Sequence, residues 1–371
     1  MNVLVTESGM RFAKGYRFEL YKSLKAKGHT LCFLDQHISD VYIDDEGNKH
    51  IPLSYVVSRE NRNPFKEVKF ISSLRKIFQK EKIDYILIYG IKIIPAMSIA
   101  AKLAGVKKIV SVINGVGNLF MGDNLKIKTL RLLALPMLKI AFSVCNEVLV
   151  QNQDDLEMLI EKHLVSKKKA KRTPGSGVNL EKYPMSPIVE NNNFLLVTRI
   201  TAAKGISEFI EAANKVRKVY PNANFHLVGP KDESDKSIDW NKMKYAISNG
   251  SIQYHGATKD VTSFIKESRI FVFPSYYREG IPRAVLEAMS MGRPIITTNS
   301  PGCRETVKEG VNGFLIPPKN SSYLSEKIIW MIEHPEEVNN MARESRRIAE
   351  ETFDINKVND IVIASLTGNN L

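Results

Sequence analysis

Residues 273–305 read FPSYYREGIPRAVLEAMSMGRPIITTNSPGCRE, and their order is strand, loop, helix, strand. An apolar run ends at Pro274, a polar loop carries Glu279 and Gly280, a helix opens near Pro282, and a second apolar run follows at 294–298. That succession is the repeating unit of a parallel sheet. Open sheets of this kind bind ligands in the loops at the carboxyl ends of their strands, where Glu279 and Gly280 stand. Gly280 lets backbone approach a ligand, Pro282 fits the first helical position, and the free amides of a helix start favour phosphate. Glu287 comes about two helical turns after Glu279, if the helix reaches back that far, which would place its carboxylate on the same face. A carboxylate accepts two hydroxyls at once, so its partner is expected to be a ribose and not a phosphate.

On either side of this stretch the same alternation continues, and it fills the chain twice. After this stretch comes GFLIP (313–317). Before it lie FLLVT (194–198), a helix from about Ser207 to Tyr220 stopped by Pro221, NFHLVG (224–229) and IQYHG (252–256). The first half repeats the pattern with NVLVT (2–6), TLCFL (30–34), YILIY (85–89), KIVSVI (108–113) and EVLVQN (147–152). Nearly continuous apolar runs suit strands covered on both faces. Phe18, Leu20, Tyr21 and Leu24 mark a buried helical stripe closed by Gly28, and PAMSIAAKLAG runs from Pro95 to Gly105. The fold class is therefore α/β, as two Rossmann-like doubly wound domains. The expected boundaries are 1–175, a Gly-, Pro-, Ser- and Asn-rich linker at 176–192, a second domain at 193–350, and a closing helix within 351–371.

Composition removes several classes. The 371 residues are 43% hydrophobic and 25% charged, which excludes a disordered or fibrous chain. No apolar run reaches the ~18–20 residues of a spanning helix. MNVLVTESGMRF lacks a basic leader and an apolar core, so a signal peptide is not expected. Three cysteines, Cys32, Cys145 and Cys303, make no disulfide framework, and a reducing cytoplasmic compartment is expected. Neither half carries a dinucleotide fingerprint or a phosphate-binding P-loop. The acidic clusters at 44–46 and 232–235 read as solvated loops, and the seven histidines lack ligand spacing, so no metal is expected.

The charge is one-sided. Residues 1–180 hold 29 Lys and Arg against 17 Asp and Glu, so twelve of the thirteen surplus positive charges lie there. Such a field attracts nucleic acid, an anionic membrane or a phosphorylated substrate, or else serves solubility alone. In the second half, Arg199 and Lys204 of TRITAAKG stand together after strand 194–198, where a fork and a mobile ammonium can both reach a diphosphate. Singly, such residues are ordinary surface charges; Arg199, Lys204, Glu279 and Glu287 are four that converge on one sheet edge.

EGIPRAVLEAMSMGRPII resembles the glutamate–seven–glutamate signature of the family 4 retaining glycosyltransferases. GSGVNLEKYP, TRITAAKG and NGFLIPP resemble that family's neighbouring motifs in order, with Asn179 where Asp is more usual. The resemblance implies the GT-B fold, two Rossmann-like domains facing a central cleft, and a metal-independent enzyme without a cofactor. It implies that Arg199 and Lys204 neutralise the donor diphosphate, that Glu287 holds the ribose, and that Glu279 contacts the donor sugar. The amides of Gly280 and Ile281 would lie near the phosphates, His255 and Gly256 would flank the base, and the Gly9 loop would sit under the diphosphate. Where relatives place a His in the first lobe, this chain reads NGVGNLF, so Asn114, Gly115 and Gly117 offer amides and no titratable group. The expected partners are a UDP-linked nucleotide-sugar donor and a lipid-diphosphate-linked saccharide acceptor, with no nucleic acid.

Residues 125–142, LKIKTLRLLALPMLKIAF, join apolar residues to Lys126, Lys128, Arg131 and Lys139. The stretch is either an interfacial helix on an anionic membrane or a core helix broken at Pro136. The first reading places the enzyme peripherally on the inner membrane face, in capsule, O-antigen or related glycan assembly. Two other classes remain open: an epimerase of the same two-lobed build, which would turn over a UDP-sugar without acceptor, and a basic nucleic-acid-binding module.

Overall fold

A computed structural model describes residues 1–6, 17–53, 64–121, 125–235 and 237–368. The chain divides into unit 1, Met1–Gly175 with Asn356–Leu371, and unit 2, Ser176–Ile355. The stretch 176–192 is thus part of unit 2.

Unit 1 holds β1 (Asn2–Thr6), β2 (Thr30–Asp35), β3 (Tyr42–Ile43), β4 (Lys49–Pro52), β5 (Tyr85–Tyr89), β6 (Lys108–Ile113), β7 (Glu147–Val150) and β8 (Ala170–Arg172). Their order is β3-β4-β2-β1-β5-β6-β7-β8, with every pairing parallel except β3–β4. Unit 2 holds β9 (Asn193–Val197), β10 (Asn224–Val228), β11 (Gln253–Tyr254), β12 (Ile270–Phe273), β13 (Ile295–Thr298) and β14 (Gly313–Ile316). They form an all-parallel sheet in the order β11-β10-β9-β12-β13-β14. The strand order reverses between β1 and β5 and again between β9 and β12. Loops leaving adjacent strands diverge at a reversal, which opens a crevice there.

Helices cover both faces. In unit 1 these are α1 (Phe18–Ala26), α2 (Pro64–Lys80), α3 (Ile94–Ala104), α4 (Leu125–Val144) and α5 (Gln153–Glu161). In unit 2 they are α6 (Ile206–Val219), α7 (Trp240–Ser248), α8 (Thr262–Glu267), α9 (Arg283–Ser290), α10 (Ser321–Glu333) and α11 (Pro335–Thr352). The last helix, α12 (Ile355–Thr367), returns the chain to unit 1. Alternate strand residues point to opposite faces. Accordingly Leu4, Ile86, Ile88 and Ile109 pack with Phe70, Leu74 and Met97, while Val3, Val5, Leu87 and Val110 pack with Leu20, Leu24 and with Val362, Ile363 and Leu366 of α12. Phe18, expected in the α1 stripe, is only half-buried, with Lys22 over its ring.

Two readings of helices are corrected. The helix at 125–144 is neither broken nor wholly core: Pro136 lies inside it, on its exposed side. A proline there removes one backbone hydrogen bond, and the carbonyl it frees belongs to Leu132, itself 74% exposed. Leu138, Ala141 and Phe142 face the core, while Leu125, Leu132, Leu133, Met137 and Ile140 are exposed. Among the described residues no helix is long and apolar enough to cross a membrane. The second correction concerns Pro282, which caps the start of α9 with extended backbone instead of occupying its first turn.

Unit 2 is stapled from within by Arg293, whose side chain is fully buried. Its guanidinium donates to the carbonyls of Ile265 (2.8 Å), Ser186 (3.1 Å), Pro187 (3.2 Å) and Lys266 (3.2 Å) and to Ser186 Oγ (2.6 Å). Burial brings its pKa down to about 10. The cation stays charged because carbonyl oxygens replace its water.

Candidate functional site

The reversal between β9 and β12 brings two distant loops together. After β9 the chain makes a short turn at Ala202–Lys204 and enters α6 through Gly205, whose φ is +76°. A Cβ on Gly205 would stand 2.2 Å from the carbonyl oxygen of Pro274, at the end of β12. Glycine is required by both backbone conformation and contact. Ala203 then accepts backbone hydrogen bonds from Tyr276 N–H (2.9 Å) and Tyr277 N–H (3.1 Å), which fixes one loop on the other.

This junction pairs Lys204 with Glu279. The Lys204 ammonium donates to Glu279 Oε1, and the side chains are only 12% and 14% exposed. Lys204 Nζ also lies 5.5 Å from the Phe273 ring centre and 5.3 Å from that of Tyr277. Glu279 Oε1 further accepts from Ser275 Oγ at 3.1 Å. Arg199, in the same loop, is 62% exposed, and its guanidinium turns to Asp232 Oδ2 at 3.4 Å.

The acidic stretch 232–235, expected to be merely solvated, is bound into this site. Besides the Asp232 contact, Asp235 Oδ2 accepts from Ala202 N–H at 2.9 Å. Burial pushes the Asp235 carboxyl up, but hydrogen bonds from Ser237 and Ala202 outweigh it and hold the group below its ordinary value. The sequence offered only an indirect signal: an acidic loop leaving β10, the strand next to β9.

Glu287 lies in the second turn of α9, and Arg283 sits one turn before it with Nη2 3.2 Å from Glu287 Oε1. The helix does not reach back to Glu279, which stays in the preceding loop, so the eight-residue spacing spans loop and helix. Burial raises the Glu287 pKa, while Arg283, a hydrogen bond with Tyr183 and the charge of Lys182 oppose the rise. Tyr183 is itself buried; its carbonyl accepts from Ser290 Oγ (2.6 Å) and Arg346 Nη1 (3.2 Å), fastening 176–192 beneath α9.

The amides of Gly280 and Ile281 belong to this loop. Ile281's side chain packs in the core of unit 2, and Gly280's carbonyl lies 1.9 Å from where a Cβ on Gly302 would stand. Farther along the sheet, His255 follows β11, which spans 253–254 and is shorter than the expected 252–256. Its Nε2 is 3.1 Å from His226 Nδ1, and its ring packs on Phe264. Burial, then the neighbouring His255, lowers the His226 pKa. Gly256 accepts from Gly229 N–H at 2.7 Å, tying this loop to the end of β10.

In unit 1, Asn114 is exposed after β6, and Gly115 and Gly117 have φ of +108° and +55°. Val116 N–H between them donates to Asp155 Oδ2 at 3.2 Å, and Asp155 is fully buried with Asn152. The Gly9 loop lies outside the described residues.

Two family models match the chain: "Glycosyl transferase 4-like" over residues 11–152 and "Glycosyl transferases group 1" over residues 184–348. The chain is 27% identical over 349 residues to the N,N'-diacetylbacillosaminyl-diphospho-undecaprenol alpha-1,3-N-acetylgalactosaminyltransferase of Campylobacter jejuni, covering 90% of each. It is 27% identical over 325 residues to the UDP-Gal:alpha-D-GlcNAc-diphosphoundecaprenol alpha-1,3-galactosyltransferase of Escherichia coli, covering 83% of this chain and 81% of that one. Among solved structures, Anabaena HepE in complex with UDP matches at 17% identity with a TM-score of 0.75, over 100% of both chains. A glycosyltransferase from Rickettsia africae matches at 20% identity and TM-score 0.75, covering 98% of this chain and 96% of that one. At these identities the structural likeness is one of fold.

Proposed function

The chain is a glycosyltransferase with a 4-like domain, a group 1 domain and the two parallel-sheet domains of the GT-B fold, and we propose that it transfers a sugar with retention from a UDP-sugar to a lipid-diphosphate-linked saccharide. The part-buried Lys204–Glu279 pair at the β9–β12 reversal carries this reading. A cation and a carboxylate side by side match a donor whose diphosphate needs positive charge and whose sugar needs a hydrogen-bond acceptor. Lys204, with Arg199 at the mouth of the loop, neutralises the diphosphate and the charge that grows as the sugar departs. Glu279 reads the sugar hydroxyls, and Glu287 accepts the ribose hydroxyls. The amides of Gly280 and Ile281 face the phosphates, and His255 and Gly256 flank the base.

No protein nucleophile is needed. The leaving diphosphate oxygen takes the proton from the acceptor hydroxyl on the face it has just left, and position plus positive charge supply the rate. The acceptor side is assigned to unit 1, with amides at Asn114, Gly115 and Gly117 and the loop at Gly9. The lipid-diphosphate acceptor draws support from the two full-length relatives, both named for undecaprenol diphosphate saccharides. Assembly of capsule, O-antigen or a related surface glycan follows from that acceptor, and the relatives include a capsular polysaccharide biosynthesis glycosyltransferase of Staphylococcus aureus.

The exposed apolar stripe of α4, with exposed Lys128 and Lys139, suits the interface of an anionic leaflet and supports a peripheral association with the inner membrane face. The test has two stages. UDP-, GDP- and other nucleoside-diphosphate sugars are screened for thermal stabilisation of the protein, and the hits are offered undecaprenyl-diphosphate-linked saccharides. Transfer with retained anomeric configuration is expected. Turnover of a UDP-sugar without acceptor would instead identify an epimerase.

A further inference from the structure

Ser275 lies two residues beyond β12 and is fully buried, with its hydroxyl at a three-way junction. Its Oγ is 3.1 Å from Glu279 Oε1, 3.3 Å from the Ala203 carbonyl and 3.3 Å from Tyr277 N. A serine hydroxyl has one proton to give, so only one of the two acceptors receives it. The Ala203 carbonyl already accepts two amide hydrogen bonds, from Tyr276 and Tyr277, and both its lone pairs are engaged. Glu279 Oε1 is nearer and carries charge, and a bond to a charged acceptor is the stronger one. The proton therefore goes to Glu279, while the single Tyr277 N–H is shared between the Ala203 carbonyl (3.1 Å) and the serine oxygen (3.3 Å).

The serine is held from its other side as well. Its carbonyl accepts from Thr298 Oγ1 at the end of β13 and lies 3.9 Å from Cys303 Sγ. The carbonyl is thus held by the end of β13 and the hydroxyl by the two loops it joins, so the hydroxyl projects a fixed donor at one oxygen of Glu279.

That donor matters because of what Lys204 must do. Without substrate, Lys204 and Glu279 neutralise each other. A nucleoside diphosphate brings a stronger anionic partner for the ammonium, and the part-buried Glu279 then loses its cation beside new negative charge. A carboxylate in that position keeps its place only while hydrogen-bond donors hold it.

We propose that Ser275 is a positioning residue for sugar transfer: its hydroxyl keeps the Glu279 carboxylate aimed at the donor sugar when Lys204 turns to the diphosphate. This rests on the roles assigned above to Lys204 and Glu279. It follows that the serine is felt when a sugar is present and not when UDP binds alone.

The experiment compares Ser275→Ala, Ser275→Thr, Glu279→Ala and the Ser275→Ala/Glu279→Ala double variant, each checked for an unchanged melting temperature. Ser275→Ala is expected to lower kcat/KM for the UDP-sugar about tenfold, the scale of one hydrogen bond to a charged group, and to leave UDP affinity by calorimetry within twofold. Ser275→Thr, which restores a hydroxyl, recovers most of the loss. In the Glu279→Ala background the second substitution adds nothing, since its target is gone. Equal loss of UDP affinity and turnover would make Ser275 a support of the loop and overturn the proposal, as would additive losses in the double variant. If Glu279→Ala itself leaves donor use unchanged, the carboxylate's assignment falls and the serine's with it. A costly Glu279→Ala beside a harmless Ser275→Ala overturns the serine alone.

Discussion

The sheet of unit 1 and the sheet of unit 2 share parallel pairing and a reversal of strand order, at β1–β5 and at β9–β12, but their described strand ends carry different chemistry. In unit 2 the ends of β9 and β12 bring charged side chains face to face, Lys204 against Glu279, with Ser275 and Asp235 holding the loops that carry them. In unit 1 the end of β6 offers backbone, and its buried carboxylate, Asp155, holds the loop from beneath through Val116 N–H. The surfaces differ too: residues 181–371 hold 24 Lys and Arg against 23 Asp and Glu, while the excess positive charge and the bare stripe of α4 belong to the first half. One scaffold thus presents two kinds of chemistry by changing what its loops carry.

The largest effect expected from this contrast is at Lys204. Lys204→Ala should cut turnover more than a hundredfold, because a cation facing departing charge contributes about 3 kcal/mol or more. Arg199→Ala should cost about tenfold, since an exposed side chain in contact with Asp232 is screened by solvent. Equal losses in steady-state kinetics would abolish the distinction between a part-buried clamp and an exposed auxiliary.

Next in size is Glu287. Its replacement by Ala should weaken UDP itself by about tenfold, the scale of lost hydrogen bonds to a charged acceptor, when read by calorimetry. If UDP binding holds while discrimination between donor sugars shifts, the two glutamates exchange roles. A smaller effect, a few-fold, is expected from Lys128→Ser with Lys139→Ser on vesicles containing anionic lipid, vanishing as salt shortens the Debye length below ~8 Å. Arg131 is left intact in that test because its Nε donates to the Leu119 carbonyl at 3.1 Å. Vesicle binding indifferent to lipid charge would remove unit 1's electrostatic role.

The smallest effect is a slope with pH. Burial raises the pKa of Glu287, so the folded chain binds this proton more tightly than the unfolded chain. Stability from this group is then fully present below the ordinary carboxylate range and is lost as pH rises through it to the raised value. Glu287→Gln should flatten that decline, a change of about 2 °C in melting temperature across the window. Identical slopes in the two proteins would show that Arg283 and Tyr183 cancel the cost of burial.

The strands that carry the site were legible because each is a run of apolar residues, covered on both faces. Three others were not: β3, β4 and β8 read YI, KHIP and AKR, too short or too polar to stand out. Lys204, Glu279 and Glu287 were legible as residue types at suggestive spacing. That Lys204 and Glu279 touch was not, since 75 residues separate them and the contact depends on which strands are neighbours. Asp232 and Asp235 were misread because a run of acidic residues looks alike whether it faces water or caps a loop. Ser275 gave no signal, because a lone serine after an apolar run belongs to no pattern. Pro136 misled in the other direction: the rule that proline breaks helices assumes the freed carbonyl has nowhere to go, and here it belongs to an exposed residue.

The division of the chain also sets an order of manufacture. Unit 1 is begun first and finished last, because Val362, Ile363 and Leu366, which lie on Val3, Val5 and Leu87, are synthesised after all of unit 2. At roughly 5–20 residues per second, the intervening ~180 residues take on the order of 10–40 s to emerge, long beside the folding time of most domains. Through that interval part of one sheet face waits without its cover, while unit 2, contiguous from Ser176 to Ile355, has everything it needs to close. A chain cut short before Val362 would therefore join a complete second unit to a first whose apolar face is open to chaperones and proteases.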